Sequence, residues 1–428
     1  MKEEAASDIL IPNARGVMKV KTYHVLLDGT RLYRWNGGID FLANLAAICY
    51  CIQQDSSKMR LKVSVMLPYK IPKYESGLRK LLGKESRKRN DTIDFVSDTV
   101  KRTNPNVEIL YVRKYEIIKG SEDRAIRRLV KRHHVDCIVG VTSCIYNNLP
   151  VPWVSYIPDY QHKYLPQFFS QQNIEYRDEL FTQIGKTAPY FIATSESHKS
   201  DLIKYSQILP EQIFTMPFAP VAPDAFWDTT CAEIQQYNLP KDFFIISNQF
   251  WKHKSHMTAV KALKLLHDQG YSDLQIVCTG QAKDTRDTEY IHQLKTLISE
   301  LGLEQHFRIL GLIPKLEQIE LIKRARALIQ PSLFEGDPGG CSTYDAVGLD
   351  RPVILSDTPV NLEAKVYEKA FFFTAEDEVR LAEEMKRLLE LEHSPYSWAD
   401  VQNKRKTNNG KLKNFFETMI IEICEGKK

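Results

Sequence analysis

At 428 residues the chain is longer than a single hydrophobic core usually serves, so two domains are the starting expectation. Hydrophobic residues at 43% and charged residues at 26% are those of an ordinary soluble globular protein, and a net charge of +4 gives no general argument for nucleic acid. The eight cysteines lie scattered through apolar runs, with neither paired metal spacing nor a disulfide-dense pattern, which points to free thiols in a reducing compartment. The opening residues, MKEEAASDIL, lack the basic-then-apolar layout of a signal peptide. The longest apolar stretch, Ile39 to Ile52, is too short to span a bilayer and carries Asp40 and Asn44. A cytoplasmic protein is expected, with contact at the inner membrane face left open.

Strand-like and helical runs alternate along the chain. In the first half, residues 22–29, 61–68, 107–113, 136–143, 152–159 and 190–196 are short and β-rich, with helical stretches at 39–53, 124–133 and 174–187. The second half repeats this, with strands at 242–249, 274–280, 307–313, 327–333, 352–357 and 370–374 and helices at 257–269, 291–301, 316–325 and 379–389. A final helix is expected over 408–425. Alternation of this kind predicts α/β architecture, with parallel sheets covered on both faces. Three prolines in Met216–Phe226 suggest the interdomain linker. Lys73–Thr92 is strongly basic with leucines at helical spacing, and reads either as a solvated surface helix or as a face for anionic lipid.

In open parallel sheets ligands bind beyond the carboxyl ends of the strands, and four such loops stand out. After the strand ALIQPSL come Glu335, then Gly-Asp-Pro-Gly-Gly, then a helix starting near Cys341, Ser342 or Thr343. A glycine turn running into a helix start exposes unpaired N–H groups and the positive dipole end, a natural seat for a diphosphate. Glu335 and Asp345 flank it and could accept from sugar hydroxyls; a capped turn with solvated acids is the alternative. Ser247–His256 places Asn248, Lys252 and Lys254 at another strand exit, where fixed cations could stabilise a leaving diphosphate. The first strand's exit carries Gly37-Gly38, which does not make the spaced-glycine dinucleotide fingerprint. Gly185-Lys186-Thr187 ends like a P-loop, but Leu180 stands where the first glycine should be. Ile157–Phe169 offers Asp159 and His162 in an aromatic setting, with His162 either a site residue or a buried, satisfied histidine. No metal-ligand spacing is evident, and neither metal nor other cofactor is expected.

Taken together, FEGDPGGCSTYDAVGLDRPVILSD, NQFWKHKSH and NGG resemble the retaining glycosyltransferases of family four, which have the GT-B fold. IPDYQHKYLPQFFS and FIATSESHKSDLIKY are similar to the bacterial polysaccharide and O-antigen branch. The resemblance runs from about residue 22 to 400. It implies two doubly wound, Rossmann-like domains facing across a cleft: residues 1–220 on the acceptor side, 221–400 on the donor side, and 401–428 as a helix packing back on the first. By position, Lys254 should contact the donor diphosphate, helped by Asn248 or Lys252, and Glu335 the donor sugar. The amides of Gly339, Gly340, Cys341, Ser342 and Thr343 should hold sugar or phosphate oxygens. His162 would face the reacting sugar with Asp159 on the acceptor side, Gly38 would lie near the phosphates, and the turn at Ile313 would meet the base. The sequence departs from the family in one place: Asp345 follows Glu335 by ten residues instead of eight, which suggests a two-residue insertion near Asp337-Pro338 and leaves Asp345 a provisional ribose ligand.

The activity implied is metal-independent transfer of a hexose, with retention, from a nucleoside-diphosphate sugar to a glycan or lipid-linked glycan acceptor. The departing phosphate would help to deprotonate that acceptor. Partners would include neither nucleic acid nor any membrane contact beyond Lys73–Thr92. A nucleotide-sugar epimerase of the same fold, or a catalytically degenerate nucleotide- or glycan-binding protein, are the alternatives.

Overall fold

The structure is a computed structural model that describes residues 20–70, 83–112, 121–220, 231–282, 287, 289–392 and 396–426. Its first unit is a seven-stranded sheet, all parallel, in the order β3-β2-β1-β4-β5-β6-β7. The strands are β1 (Thr22–Asp28), β2 (Arg60–Pro68), β3 (Glu108–Val112), β4 (Cys137–Val141), β5 (Trp153–Ser155), β6 (Tyr190–Ala193) and β7 (Ile213–Thr215). Helices α1 (Asn36–Asp55), α2 (Gly83–Thr103), α3 (Ser121–His133), α4 (Gln161–Tyr164), α5 (Gln171–Thr187) and α6 (Glu196–Ser206) cover it. The period-two arrangement of a strand buried on both faces is visible in β1. Val25 and Leu27 enter the core beneath α1 and α2, whereas Leu26 joins Ile126 of α3 and Phe181 of α5 on the other face. Gly185 is a packing glycine: a Cβ there would lie 2.5 Å from the carbonyl oxygen of Ser206, so the P-loop ending is the seam between α5 and α6.

The second unit is a six-stranded parallel sheet in the order β10-β9-β8-β11-β12-β13. Its strands are β8 (Phe243–Ser247), β9 (Gln275–Thr279), β10 (Phe307–Gly311), β11 (Leu328–Gln330), β12 (Val353–Ser356) and β13 (Ala370–Phe373). Helices α7 (His256–Asp268) and α8 (Tyr290–Glu300) cover one face together with α11 (Glu378–Glu390). The other face is covered by α9 (Lys315–Arg324) and α10 (Cys341–Gly348). Strand order reverses between β1 and β4 in the first unit and between β8 and β11 in the second. Each reversal opens a crevice at the carboxyl ends of the strands. This is the two-domain α/β architecture expected.

The last helix, α12 (Trp398–Glu425), begins on the second unit and ends on the first. Near its start Lys404 Nζ meets Asp350 at 2.6 Å and Glu368 at 2.7 Å. Further along, Leu412, Phe416, Met419, Ile420 and Ile423 are buried in the core of the first unit, and Tyr23 Oη donates to Glu425 Oε1 at 2.8 Å. The helix starts ten residues before the expected Asn408, because Asp400–Thr407 is polar and lacks apolar periodicity. Its first turn is capped by Ser397, whose hydroxyl accepts from Asp400 N at 3.4 Å. Three further elements were not expected: β7, whose short run meets the proline-interrupted residues 216–226, and the helices α4 and α6. Of the expected linker, Met216–Pro220 is packed, with Phe218 4.8 Å from the ring of Tyr344, and residues 221–226 lie outside the described residues. Residues 73–82 of the basic segment also lie outside them; its remainder opens α2. Among the described residues no helix is long and apolar enough to cross a membrane.

Candidate active site

Strands β8 and β11 are neighbours at the switch point, so their exit loops must meet. The loop after β8 turns through a short 3-10 segment, Lys252–Lys254, and Leu333 N donates to His253 O at 2.7 Å, tying it to the loop after β11. That tie brings Lys254 Nζ to 2.6 and 2.8 Å from the two carboxylate oxygens of Glu335. The side chains are 11% and 6% exposed, so this is a buried ion pair. Gln330, the last residue of β11, braces it: its Nε2 donates to Glu335 Oε1 at 3.1 Å and to Gly339 O at 2.8 Å. Asn248 Nδ2 in turn donates to Gln330 Oε1 at 2.6 Å. Asn248 thus orients the glutamine that orients the acid.

The glycine turn is built for close approach. Gly339 and Gly340 have φ of 68° and 70°; a Cβ on the first would lie 2.2 Å from Thr343 Oγ1 and on the second 3.0 Å from Glu335 Oε2. Within the turn, Gly339 N donates to Asn361 Oδ1 at 2.8 Å, Gly340 N to Asp337 O at 3.1 Å and Thr343 N to Gly340 O at 3.0 Å. Three of the five amides expected to hold ligand oxygens are therefore spent inside the protein. The N–H groups of Cys341 and Ser342, the first two residues of α10, are the ones left at the positive end of that helix.

Asp345 lies one turn into α10, where Lys315 Nζ approaches its Oδ2 at 2.5 Å and Gln318 Nε2 at 3.5 Å. Burial pushes the Asp345 carboxyl up, and Lys315 opposes it. Burial pulls Lys315 down, but Asp345 and Asp40 outweigh it and hold the ammonium above its ordinary value. Thr343, at the family spacing for a second acid, is fully buried and donates its hydroxyl to Gly339 O at 2.7 Å, so it braces the turn. Asp337, within the lengthened turn, is recessed between the units; burial first, then Glu335, push its carboxyl up to about 7.

The other expected site residues separate into two groups. Across the boundary, the Asp159 loop reaches the turn: a Cβ on Gly336 would lie 2.7 Å from Pro158 O, and Thr194 Oγ1 donates to Gly336 O at 3.2 Å. Asp159 itself accepts from Arg177 Nη2 at 2.9 Å. Gly38 is buried in the first turn of α1, where a Cβ would lie 2.4 Å from Leu32 O, so it serves a close turn. Asp40, two residues on, is the α1 carboxylate that acts on Lys315. His162 turns into its own unit: its ring is buried, Nε2 lies 2.9 Å from Asp178 Oδ1, and Tyr160, Phe169 and Phe181 surround it. Burial, then Arg177, lower its pKa. The aromatic setting encloses the ring, and its Nδ1 is buried without a hydrogen-bond partner. Lys252 is 48% exposed and pairs with Asp287 at 3.3 Å, outside the Lys254 cluster. Ile313 packs against the core under α9 and α10, beside an exposed Leu312. Sequence reasoning missed Gln330, Asn361 and Lys315; only Gln330, a polar residue ending an apolar strand, carried a readable signal.

Two facing doubly wound units, each with a switch point at the carboxyl ends of its strands, define the class of fold: GT-B. Residues 231–407 match the family model described as glycosyl transferases group 1. The chain is 24% identical over 269 residues to the O-antigen chain mannosyltransferase RfbU of Salmonella typhimurium, a match covering 62% of this chain and 67% of that protein. Among solved structures it is similar to a glycosyltransferase from Rickettsia africae, with TM-score 0.59, 14% identity and coverage of 95% of this chain and 98% of the other. It is also similar to Anabaena Alr3699/HepE in complex with UDP and glucose, with TM-score 0.55, 15% identity and coverage of 94% and 97%.

Proposed function

We propose that this glycosyltransferase moves a hexose, with retention, from a nucleoside-diphosphate sugar to a hydroxyl of a glycan or lipid-linked glycan during surface polysaccharide synthesis. The observation that carries the reading is the buried Lys254–Glu335 pair beside the unspent amides of Cys341 and Ser342. An ammonium and two helix-end N–H groups can meet a diphosphate, and a carboxylate one bond away can accept from sugar hydroxyls. On donor binding Lys254 exchanges part of its contact with Glu335 for phosphate oxygens. Negative charge that develops on the leaving diphosphate is then met by a fixed cation, and catalysis is mostly positioning and charge stabilisation. Asp345 with Lys315 is the provisional nucleotide-ribose site, the turn at Ile313 the base site, and the Asp159 loop the acceptor side. In this reading residues 1–220 receive the acceptor, 221–400 the donor, and 401–428 join them.

The names of its relatives support the donor and product classes: one is an O-antigen chain mannosyltransferase, another a structure with UDP and glucose. The reading includes turnover in excess chelator, a cytoplasmic location, and peripheral membrane contact through Lys73–Thr92. Thermal-shift measurements with GDP, UDP and dTDP test the donor site. A ligand at a hundred times its Kd stabilises the folded state by about 2.7 kcal/mol. One of the three should raise the melting temperature, and no response to any of them, or to their sugars, contradicts the reading.

A further inference from the structure

The two units of this enzyme must meet for donor and acceptor groups to come together, so the bonds that fasten them position the reaction. One such bond is Thr194 Oγ1 to Gly336 O, at the donor turn itself. A second is made by Glu363, in the short 3-10 segment Asn361–Val366 of the second unit. Its carboxylate accepts from the N–H of Glu196 at 2.9 Å and from the N–H of Ser197 at 2.7 Å. These are the first two residues of α6, whose N–H groups have no partner within the helix. The local cap, Ser195 Oγ, takes the next donor, His198 N, at 2.9 Å. Helix α6 is therefore capped twice, once by its own serine and once by a carboxylate from the opposite unit, which also meets the positive end of the helix dipole.

Asn361 stands two residues before Glu363 in the same segment. Its Oδ1 accepts from Gly339 N at 2.8 Å, and its Nδ2 donates to Ser356 O and Oγ at 3.0 and 3.1 Å. One short segment thus grips the glycine turn through Asn361 and the opposite unit through Glu363. Thr194 and Glu196 are themselves close in sequence, at the end of β6 and the start of α6, so both fastenings pull the same edge of the first unit toward the second.

We propose that Glu363 is a positioning residue for glycosyl transfer, an interdomain clasp that holds α6 against the segment bracing the donor turn. Its catalytic consequence rests on the function proposed above; its structural consequence does not. Glu363 is half-buried, so substitution there leaves both cores intact. Three variants test it. Glu363→Ala removes both acceptors, Glu363→Gln keeps one accepting oxygen, and Glu196→Pro removes a donor from the other side. Proline suits that first helical position, and Ser195 before it is already extended at φ −162° and ψ 165°.

Small-angle scattering on the nucleotide-free protein should show a larger radius of gyration for Glu363→Ala and Glu196→Pro than for wild type. The affinity for UDP or GDP, measured by calorimetry, should stay within about threefold, because the donor site lies within the second unit. The kcat for nucleotide-sugar consumption should fall by about tenfold or more for Glu363→Ala, the scale of losing charge-assisted hydrogen bonds, with Glu363→Gln between it and wild type. Wild-type dimensions together with wild-type kcat in Glu363→Ala overturn the proposal. So does a loss of nucleotide affinity as large as the loss of kcat, which would mark Glu363 as merely supporting the donor turn. If wild-type protein consumes no nucleotide sugar, the function proposed above fails, and the scattering comparison alone decides whether the clasp exists.

Discussion

Replacing the Lys254–Glu335 pair separates what it does for stability from what it does for chemistry. Lys254→Met strands a carboxylate and Glu335→Leu strands an ammonium, each at a site whose side chains are only 11% and 6% exposed. Breaking a buried pair by removing one partner costs about 3–5 kcal/mol, because the remaining charge is left uncompensated out of water. Solvent screening discounts little at this exposure. For a unit of this size each kcal/mol is worth about 2–4 °C in melting temperature, so either single variant should melt roughly 10 °C lower. Removing both charges and filling the volume with apolar atoms is often neutral or stabilising, so the double variant should recover most of that loss. Activity should not follow. A fixed donor aimed at developing negative charge is worth on the order of 10²–10³ in kcat, and the double variant lacks it. Differential scanning calorimetry gives the stability cycle and released nucleoside diphosphate gives the activity. Singles that melt with wild type refute the buried-pair reasoning. A double variant that turns over at the wild-type rate refutes the catalytic role.

Gly339→Ala places a Cβ where 2.2 Å separates it from Thr343 Oγ1, at a φ of 68°, and should abolish the thermal shift given by nucleotide while moving the ligand-free melting temperature by only a few degrees. Asp337 binds its proton more tightly folded than unfolded, its pKa rising from 3.8 to about 7, so its contribution to stability is present at acid pH and lost as pH rises through about 7. Asp337→Asn removes that loss, which develops between about pH 4 and pH 7; urea midpoints should favour the variant at pH 8 and converge below about pH 4, and parallel curves would show that the carboxyl is already ionised. Phe416→Ala empties a fully buried site where α12 joins the first unit and should cost about 3–5 kcal/mol in urea unfolding, whereas a loss under about 1 kcal/mol would mean that the helix is not integral to that core.

Much of this was legible because parallel strands buried on both faces spell themselves as short apolar runs, and twelve of the thirteen strands among the described residues did so. The thirteenth, β7, is a sheet-edge strand whose short apolar run is broken at once by the prolines of residues 216–226. The loops after β8 and β11 were legible as a site because glycines, lysines and acids at strand ends are chemically conspicuous. What joins them was not. Asn248 acts through Gln330, 82 residues on, and Asn361 through Gly339, 22 residues before it, partners that strand order brings within reach. The amides illustrate the same limit: a glycine-rich turn advertises free N–H groups, but only coordinates show that Gly339, Gly340 and Thr343 have already used theirs. His162 was ambiguous in the sequence for a physical reason, since an aromatic neighbourhood suits a sugar and a buried imidazole equally. Its ring contacts with Tyr160, Phe169 and Phe181 show it buried, with Nδ1 left unpartnered. Asp345 kept its place on α10, but Lys315 supplies the charge partner that no spacing rule anticipated.

The central claim is transfer of a sugar from a nucleotide donor at the Lys254–Glu335 site. It is tested most directly by incubating purified protein, in the presence of chelator, with GDP-, UDP- and dTDP-hexoses and a lipid-linked glycan fraction, and following the glycosidic product by NMR. Acceptor-dependent release of one nucleoside diphosphate is expected, with a new linkage of the donor's own anomeric configuration, both absent in the Lys254→Met/Glu335→Leu protein. Donor conversion to an epimer without acceptor, an inverted linkage, or undiminished transfer by the double variant would contradict it.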